Sequence, residues 1–188
     1  MSRISRTLIA GAAALAFSIT FNTSPAAASV SSGYIDENAG AQNDFSDEAT
    51  LWSGSSYWNS NSVGVIQSIL YAEFIIDAPD VDCAFGSTTT WGVKQLQKRL
   101  GFTGDDVDGV VGPKTWDKLD DRLIEGSNYS DSMQYIKYRA TNGLTTNLFL
   151  RARTSGGTYM FRYYGGYFGG SSGWKQALYR SLSGRECS

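Results

Sequence analysis

Apolar residues recur along this chain in two rhythms, and one gives way to the other near residue 130. In the earlier stretch the spacing is that of a helix: Val63, Ile66, Gln67 and Leu70 fall at i, i+3, i+4 and i+7. Thirty residues on, Val93, Leu96, Gln97 and Leu100 repeat the same residue classes at the same spacing. A third face, Trp116, Leu119 and Leu123, follows Gly112-Pro113, where proline occupies a tolerated first-turn position. From Gln134 onward the period is two. Ile136, Tyr138 and Ala140, then Leu148, Leu150 and Ala152, then Tyr159, Phe161 and Tyr163 mark three strands. Asn142-Gly143 and Ser155-Gly156-Gly157 are turn signals between them. Gly165-Gly166 and Gly169-Gly170 bracket a glycine-rich loop, and Trp174 to Leu182 reads as a last short helix. The expected class is α+β: a small three-helix bundle followed by a three-stranded antiparallel β meander and a short C-terminal helix.

The ends and the irregular stretches complete the plan. Arg3 and Arg6, the apolar run Leu8 to Phe17 and the small residues Ala26-Ala27-Ala28 have the order of a secretory signal peptide. The run is shorter than the roughly 20 residues a membrane span requires. Residues 1–28 are therefore read as the signal, 29–60 as an irregular arm, 61–125 as the helical domain and 129–188 as a β-rich segment. Three strands alone are marginal, so the sheet is expected to pack on the bundle or its arm.

The loops between the helices repeat as well. Val81-Asp82-Cys83-Ala84-Phe85-Gly86-Ser87-Thr88-Thr89 aligns with Val107-Asp108-Gly109-Val110-Val111-Gly112-Pro113-Lys114-Thr115. Each copy reads V-D-x-x-[FV]-G-x-x-T and leads into a helix. The aspartate suits a turn, where its carboxylate accepts nearby backbone protons. Phe85 or Val111 plugs the bundle, and Gly86 and Gly112 are expected to free the backbone at the helix entrance.

Asp108-Gly109-Val110-Val111-Gly112-Pro113-Lys114-Thr115-Trp116, together with the two V-x-x-[IL]-Q-type faces, resembles the peptidoglycan-binding-like domain, a three-helix module attached to many bacterial wall enzymes. The resemblance runs from about Val63 to Leu123, and its structural motif residues here are Phe85, Gly86, Gly109, Gly112 and Trp116. It departs at Cys83, where glycine is usual, and at Gly92, where alanine is usual. It implies a cell-wall partner, peptidoglycan, through either its glycan or its stem peptide.

Charge and chemistry narrow the function. The stretch 29–128 carries 16 acids against 6 bases, whereas 129–188 carries 8 bases against 2 acids. The two segments therefore either attract each other or meet different partners. The bases are dispersed, which argues against nucleic acid. The chain has no histidine, so Ser-His and Cys-His nucleophile pairs are excluded, as is the usual imidazole-ligated zinc hydrolase site. No motif asks for a metal or a cofactor. Cys83 and Cys187 are the two cysteines, and in an exported chain a single bridge is the economical reading.

Helical phase sorts the tryptophans. Trp116 lies on its core stripe, while Trp91 lies about 200° round from Val93. Trp91 is thus either a sugar-stacking platform or a surface covered by the C-terminal segment, and Trp58 is similarly open. Asp82 and Asp108 are candidate ligand contacts, though turn formation accounts for them more simply. The leading expectation is a secreted, non-catalytic, cell-wall-associated protein that binds peptidoglycan and leaves the membrane once its signal is cleaved. One alternative is a small wall glycoside hydrolase, which needs only paired carboxylates, such as Glu73, Asp77 or Asp80. Another is an exported protein-binding inhibitor or ligand, which fits the tyrosine-rich strands.

Overall fold

The three apolar faces fold as three helices: α1 (Asn61–Ala72), α2 (Ser87–Arg99) and α3 (Pro113–Asp120). A computed structural model describes residues 31–36, 41–45, 47–154, 156–164, 173–179 and 187. The signal-peptide reading over 1–28 and the glycine-rich loop over 165–170 lie outside the described residues.

α1 is buried along its length from Asn61 to Leu70, as befits a helix with neighbours on every side. Two glycines allow its close approaches. A Cβ at Gly64 would lie 2.4 Å from the Phe161 ring and 2.7 Å from Cys83 Sγ, so glycine here lets the sheet and the first loop press against the helix. A Cβ at Gly92 would meet Leu70 Cδ1 at 2.8 Å, so α1 and α2 pack closely at this departure from the expected alanine.

The sheet has five strands in the order β1-β2-β3-β4-β5, all antiparallel: β1 (Leu123–Asn128), β2 (Met133–Arg139), β3 (Thr145–Ala152), β4 (Tyr159–Tyr163) and β5 (Gly173–Gln176). The three expected strands are β2, β3 and β4, with Gly143 at φ 88° in the turn between β2 and β3. Two corrections to the expected three-stranded meander follow. Leu123 does not close the stripe of α3. It opens β1 opposite Tyr138 and is fully buried there, so its hydrophobicity is real but its period is not helical. The expected C-terminal helix is, at residues 173–176, strand β5, with Trp174 opposite Arg162 and Gln176 opposite Met160. The open edge of β4 offers unpaired backbone groups, and pairing with them outweighs a short helix. Residues 180–182 of that expected helix lie outside the described residues.

The arm joins helices to sheet. Phe45 packs within 5.2 Å of the Trp116 ring, 5.6 Å of Tyr159 and 6.3 Å of Phe149. One buried cluster therefore draws on arm, helices and strands alike. Residues 33–36 enter the sheet too: Ile35 N–H donates to Ala177 O and Ile35 O accepts from Tyr159 N–H, both at 2.9 Å. The charge asymmetry of the sequence closes inside the molecule. Arg151, buried on β3, meets buried Asp44 at 2.9 Å and exposed Glu125 at 2.9 Å, and Tyr159 hydroxyl also donates to Asp44. Cys83 and Cys187 are joined in a buried disulfide, with Cα atoms 5.3 Å apart.

Candidate functional site

The duplicated loops are held by a duplicated side-chain node. Gln67, on α1, donates through Nε2 to Asp82 Oδ1 (2.7 Å), Ala84 O (3.1 Å) and Thr89 Oγ1 (3.0 Å). Its Oε1 accepts from the backbone N–H groups of Asp82 (3.0 Å) and Cys83 (2.8 Å). Gln97, on α2, does the same for the second loop. It donates to Asp108 Oδ1 (2.8 Å), Val110 O (3.0 Å) and Thr115 Oγ1 (3.3 Å), and accepts from Gly109 N–H (2.9 Å). A glutamine buried on an otherwise apolar stripe is thus fully satisfied, as a buried amide must be.

The aspartates have a structural task in this node. Asp82 Oδ1 also accepts Ala84 N–H at 2.9 Å, and Asp108 Oδ1 accepts Val110 N–H at 2.8 Å. Both are the expected turn bonds. Phe85 is the buried plug, as is Val111 in the second copy. Gly86 and Gly112 correct the sequence expectation. Their φ values are −87° and −98°, in extended conformations open to any residue, and no atom lies within 4 Å of a Cβ built on either. The residue that needs conformational freedom is Gly109, at φ 79°. Its counterpart Cys83 holds the same left-handed backbone at φ 62° with a side chain fixed by the disulfide.

The arm crosses both loops. Leu51 and Val111 exchange backbone bonds of 3.0 and 2.9 Å, while Phe85 N–H donates to Trp58 O at 2.6 Å and Ser60 N–H to Cys83 O at 3.1 Å. Trp52 and Trp58, at either end of this crossing, are exposed. Trp116 is fully buried and its indole N–H donates to Ala49 O at 2.9 Å, so it is core, as its phase requires.

Each repeat also forms a groove. The first, of about 290 Å³, lies between the end of α1, the 3-10 turn Ala78–Asp80 and α2; it is lined by Tyr71, Phe74, Ile76, Asp77, Asp80 and Trp91 among others. The second, of about 370 Å³, lies between the end of α2, the 3-10 turn Gly104–Asp106 and α3, with Phe102, Asp106, Asp108, Pro113 and Lys114 in its lining. Ile76, Asp80 and Thr88 in one correspond to Phe102, Asp106 and Lys114 in the other, each 26 residues on. The second groove bridges its own charges: Lys114 Nζ lies 2.7 Å from Asp106 Oδ1, and that hydrogen bond raises the lysine pKa. The first has carboxylates and aromatic rings but, among its described residues, no cation in its lining. Trp91 is 54% exposed there, so the described residues of the C-terminal segment do not bury it. Tyr71 and Phe74 were not among the residues the sequence singled out.

Three further carboxylates, Glu73, Asp120 and Asp47, serve the interior. Glu73, 1% exposed, accepts from Tyr138 hydroxyl (2.8 Å), Thr141 N–H (2.8 Å) and the Thr141 hydroxyl, with Arg99 at 3.4 Å. Burial, then the nearby Glu73 charge, holds the Tyr138 hydroxyl well above its ordinary pKa. Asp120, 2% exposed, accepts Phe45 N–H at 3.2 Å. Burial, partly countered by that bond and reinforced by the Asp44 charge, pushes its carboxyl up to about 7. Asp47 is raised too, by burial first and then by Asp36.

Residues 59–119, which contain α1, α2, both loops and all but the last residue of α3, match the family model described as "Putative peptidoglycan binding domain". The resemblance carried by Asp108 to Trp116 is therefore met over about a third of the chain. A protein of Kitasatospora aureofaciens, described as "Uncharacterized protein in bpoA1 3'region", is 36% identical over 69 residues, which are 37% of this chain and 56% of that one. The chain thus spans little more than half the length of that relative. No solved structure matches it.

Proposed function

Starting from a helical module that matches the peptidoglycan-binding family over residues 59–119, we propose that this is a secreted protein that holds bacterial cell-wall peptidoglycan and does not cleave it. The observation that carries the reading is the family match on a module whose outward side bears exposed aromatic rings: Trp91, beside the first groove, and Trp58, beside the first loop. Aromatic faces stack on the apolar faces of sugar rings, and a wall polymer repeats such faces many times. Asp82 and Asp108, although exposed, hold their loops in shape, and their part in binding is to position that surface.

The absence of histidine supports a non-catalytic role, and so does the fate of Glu73, the one buried acid among the three weighed for a hydrolase. Its oxygens are taken by the Tyr138 and Thr141 donors, so this carboxylate is occupied within the fold. Secretion is supported by the signal-like order of residues 1–28 and by a buried disulfide, which persists in oxidising compartments.

Sedimentation with purified insoluble peptidoglycan, run beside a turbidity assay for lysis, tests both halves of the proposal. The protein is expected to co-sediment and the suspension to stay turbid. A protein left in the supernatant refutes wall binding, and clearing of the suspension refutes the non-catalytic role.

A further inference from the structure

Phe74 is the most exposed large hydrophobic side chain among the described residues, at 69%, and its backbone is left-handed, with φ 56°. The position is the helix-closing one. Phe74 N–H donates to Tyr71 O and Ile75 N–H to Leu70 O, both at 2.9 Å, the pair of bonds that ends many helices on a glycine. α2 closes in the same way, with Gly101 N–H to Lys98 O at 3.1 Å and Phe102 N–H to Gln97 O at 3.0 Å, and there the left-handed residue is Gly101, at φ 90°. A bulky residue in this conformation is strained, and such outliers gather at functional sites. Burial does not compensate Phe74, because its ring stands in solvent. The fold would be served better by the glycine the second copy uses, so the ring is explained by what it meets at the surface.

It faces the first groove together with Trp91 and Tyr71. Tyr71 in turn lies 5.1 Å, ring to ring, from the exposed Tyr164, which extends the aromatic strip toward β4. Asp77 and Asp80 stand in the lining, and among its described residues there is no lysine or arginine. An anion finds no cationic partner among these described side chains. An uncharged sugar ring finds two: aromatic faces for its C–H surface, and carboxylates that accept its hydroxyl protons. At about 290 Å³ the groove is at the small end of ligand sites, which suits one ring and part of the next.

We propose that the groove between α1 and α2 is a saccharide subsite, in which Phe74 and Trp91 stack on a neutral sugar ring of the glycan strand and Asp77 and Asp80 accept its hydroxyl protons. The site selects glycan over the carboxylate-bearing stem peptide. This rests on the wall-binding reading for its biological ligand, but it has its own test.

The purified protein is titrated by calorimetry with an N-acetylglucosamine tetramer and, separately, with a sugar-free stem tetrapeptide. Wild type is compared with Phe74→Gly and Phe74→Asn, both tolerant of the left-handed backbone. The tetramer is expected to bind saturably, with little dependence on salt, and the peptide not to bind. Each variant is expected to weaken tetramer binding about tenfold, the loss of one stacked ring, while Tm stays level or rises. Equal affinity in wild type and variants overturns the proposal, as does preference for the peptide. A Tm lowered in both variants also overturns it, because the ring would then be holding the fold. If the protein co-sediments with whole peptidoglycan yet ignores the tetramer, the subsite fails and the wall-binding reading survives. If it binds the tetramer but not the wall, the subsite stands and the wall-binding reading fails.

Discussion

Asp120 makes the protein's stability depend on pH in a direction opposite to that of a salt-bridged aspartate. Its side chain is 2% exposed and accepts the backbone N–H of Phe45, with a further backbone bond from Asp44. Burial, with the Asp44 charge beside it, raises its pKa from 3.8 to about 7. Between those two values the folded chain keeps a proton that the unfolded chain has released, so the folded state binds more protons and each rise in pH favours unfolding. The contribution is full below about 4 and is lost as pH climbs through 7. One pK unit corresponds to about 1.4 kcal/mol, which puts the loss at up to about 4 kcal/mol, less whatever the pocket recovers by relaxing around the charge. Asp47, raised in the same direction, adds to the slope. Urea unfolding at half-unit pH steps from 4.5 to 7.5 is expected to show stability falling across the range. Asp120→Asn keeps an oxygen for Phe45 N–H and removes the titration, so its profile is expected to be flatter and its stability at pH 7 higher than wild type. A wild-type profile that rises with pH, or an Asp120→Asn profile parallel to it, would refute the reasoning.

Other expectations follow from single contacts. Trp116→Ala should cost about 3–5 kcal/mol in chemical denaturation, since a fully buried ring and its bond to Ala49 O are lost together, whereas Trp91→Ala should leave Tm unchanged and reduce retention on peptidoglycan. Gln97→Leu strands Gly109 N–H and removes the donor to Asp108, Val110 and Thr115; a loss of about 2–4 kcal/mol is expected, and a change under 0.5 kcal/mol would show that the node is ornamental. Titration of free thiols in denatured, non-reduced protein should find none, and reduction should lower Tm, because the bridge closes a loop with a sequence separation of 104.

How much of this was legible in the sequence depended on whether the deciding force was local. The stripes of α1 and α2, and the alternation of Ile136 and Tyr138 or of Tyr159 and Phe161, show because one buried face imposes its own period. The same phase argument separated Trp116 from Trp91. Leu123 escaped it because a buried leucine fits the end of a helical stripe and the start of a strand equally well, and only its partner Tyr138 decides. β5 escaped it because its order comes from the edge of β4 rather than from its own residues. Nothing local marks Arg151 as buried, because its partner Asp44 lies 107 positions away.

The candidate site is a different case: the 26-residue offset of the loops sets Gly101 against Ile75, and only the bonds that close the two helices pair Gly101 with Phe74. At two backbone positions the second repeat keeps glycine in the left-handed region, Gly101 and Gly109, where the first has Phe74 and Cys83. Replacing glycine at such a position strains the fold unless something else is gained. At Cys83 the gain is internal, a buried bridge to the end of the chain. At Phe74 the ring is solvent-exposed and the fold gains no burial from it. Two equivalent departures from glycine thus separate by what repays them: one repaid within the molecule marks a staple, and one unpaid within it marks a surface made for something outside.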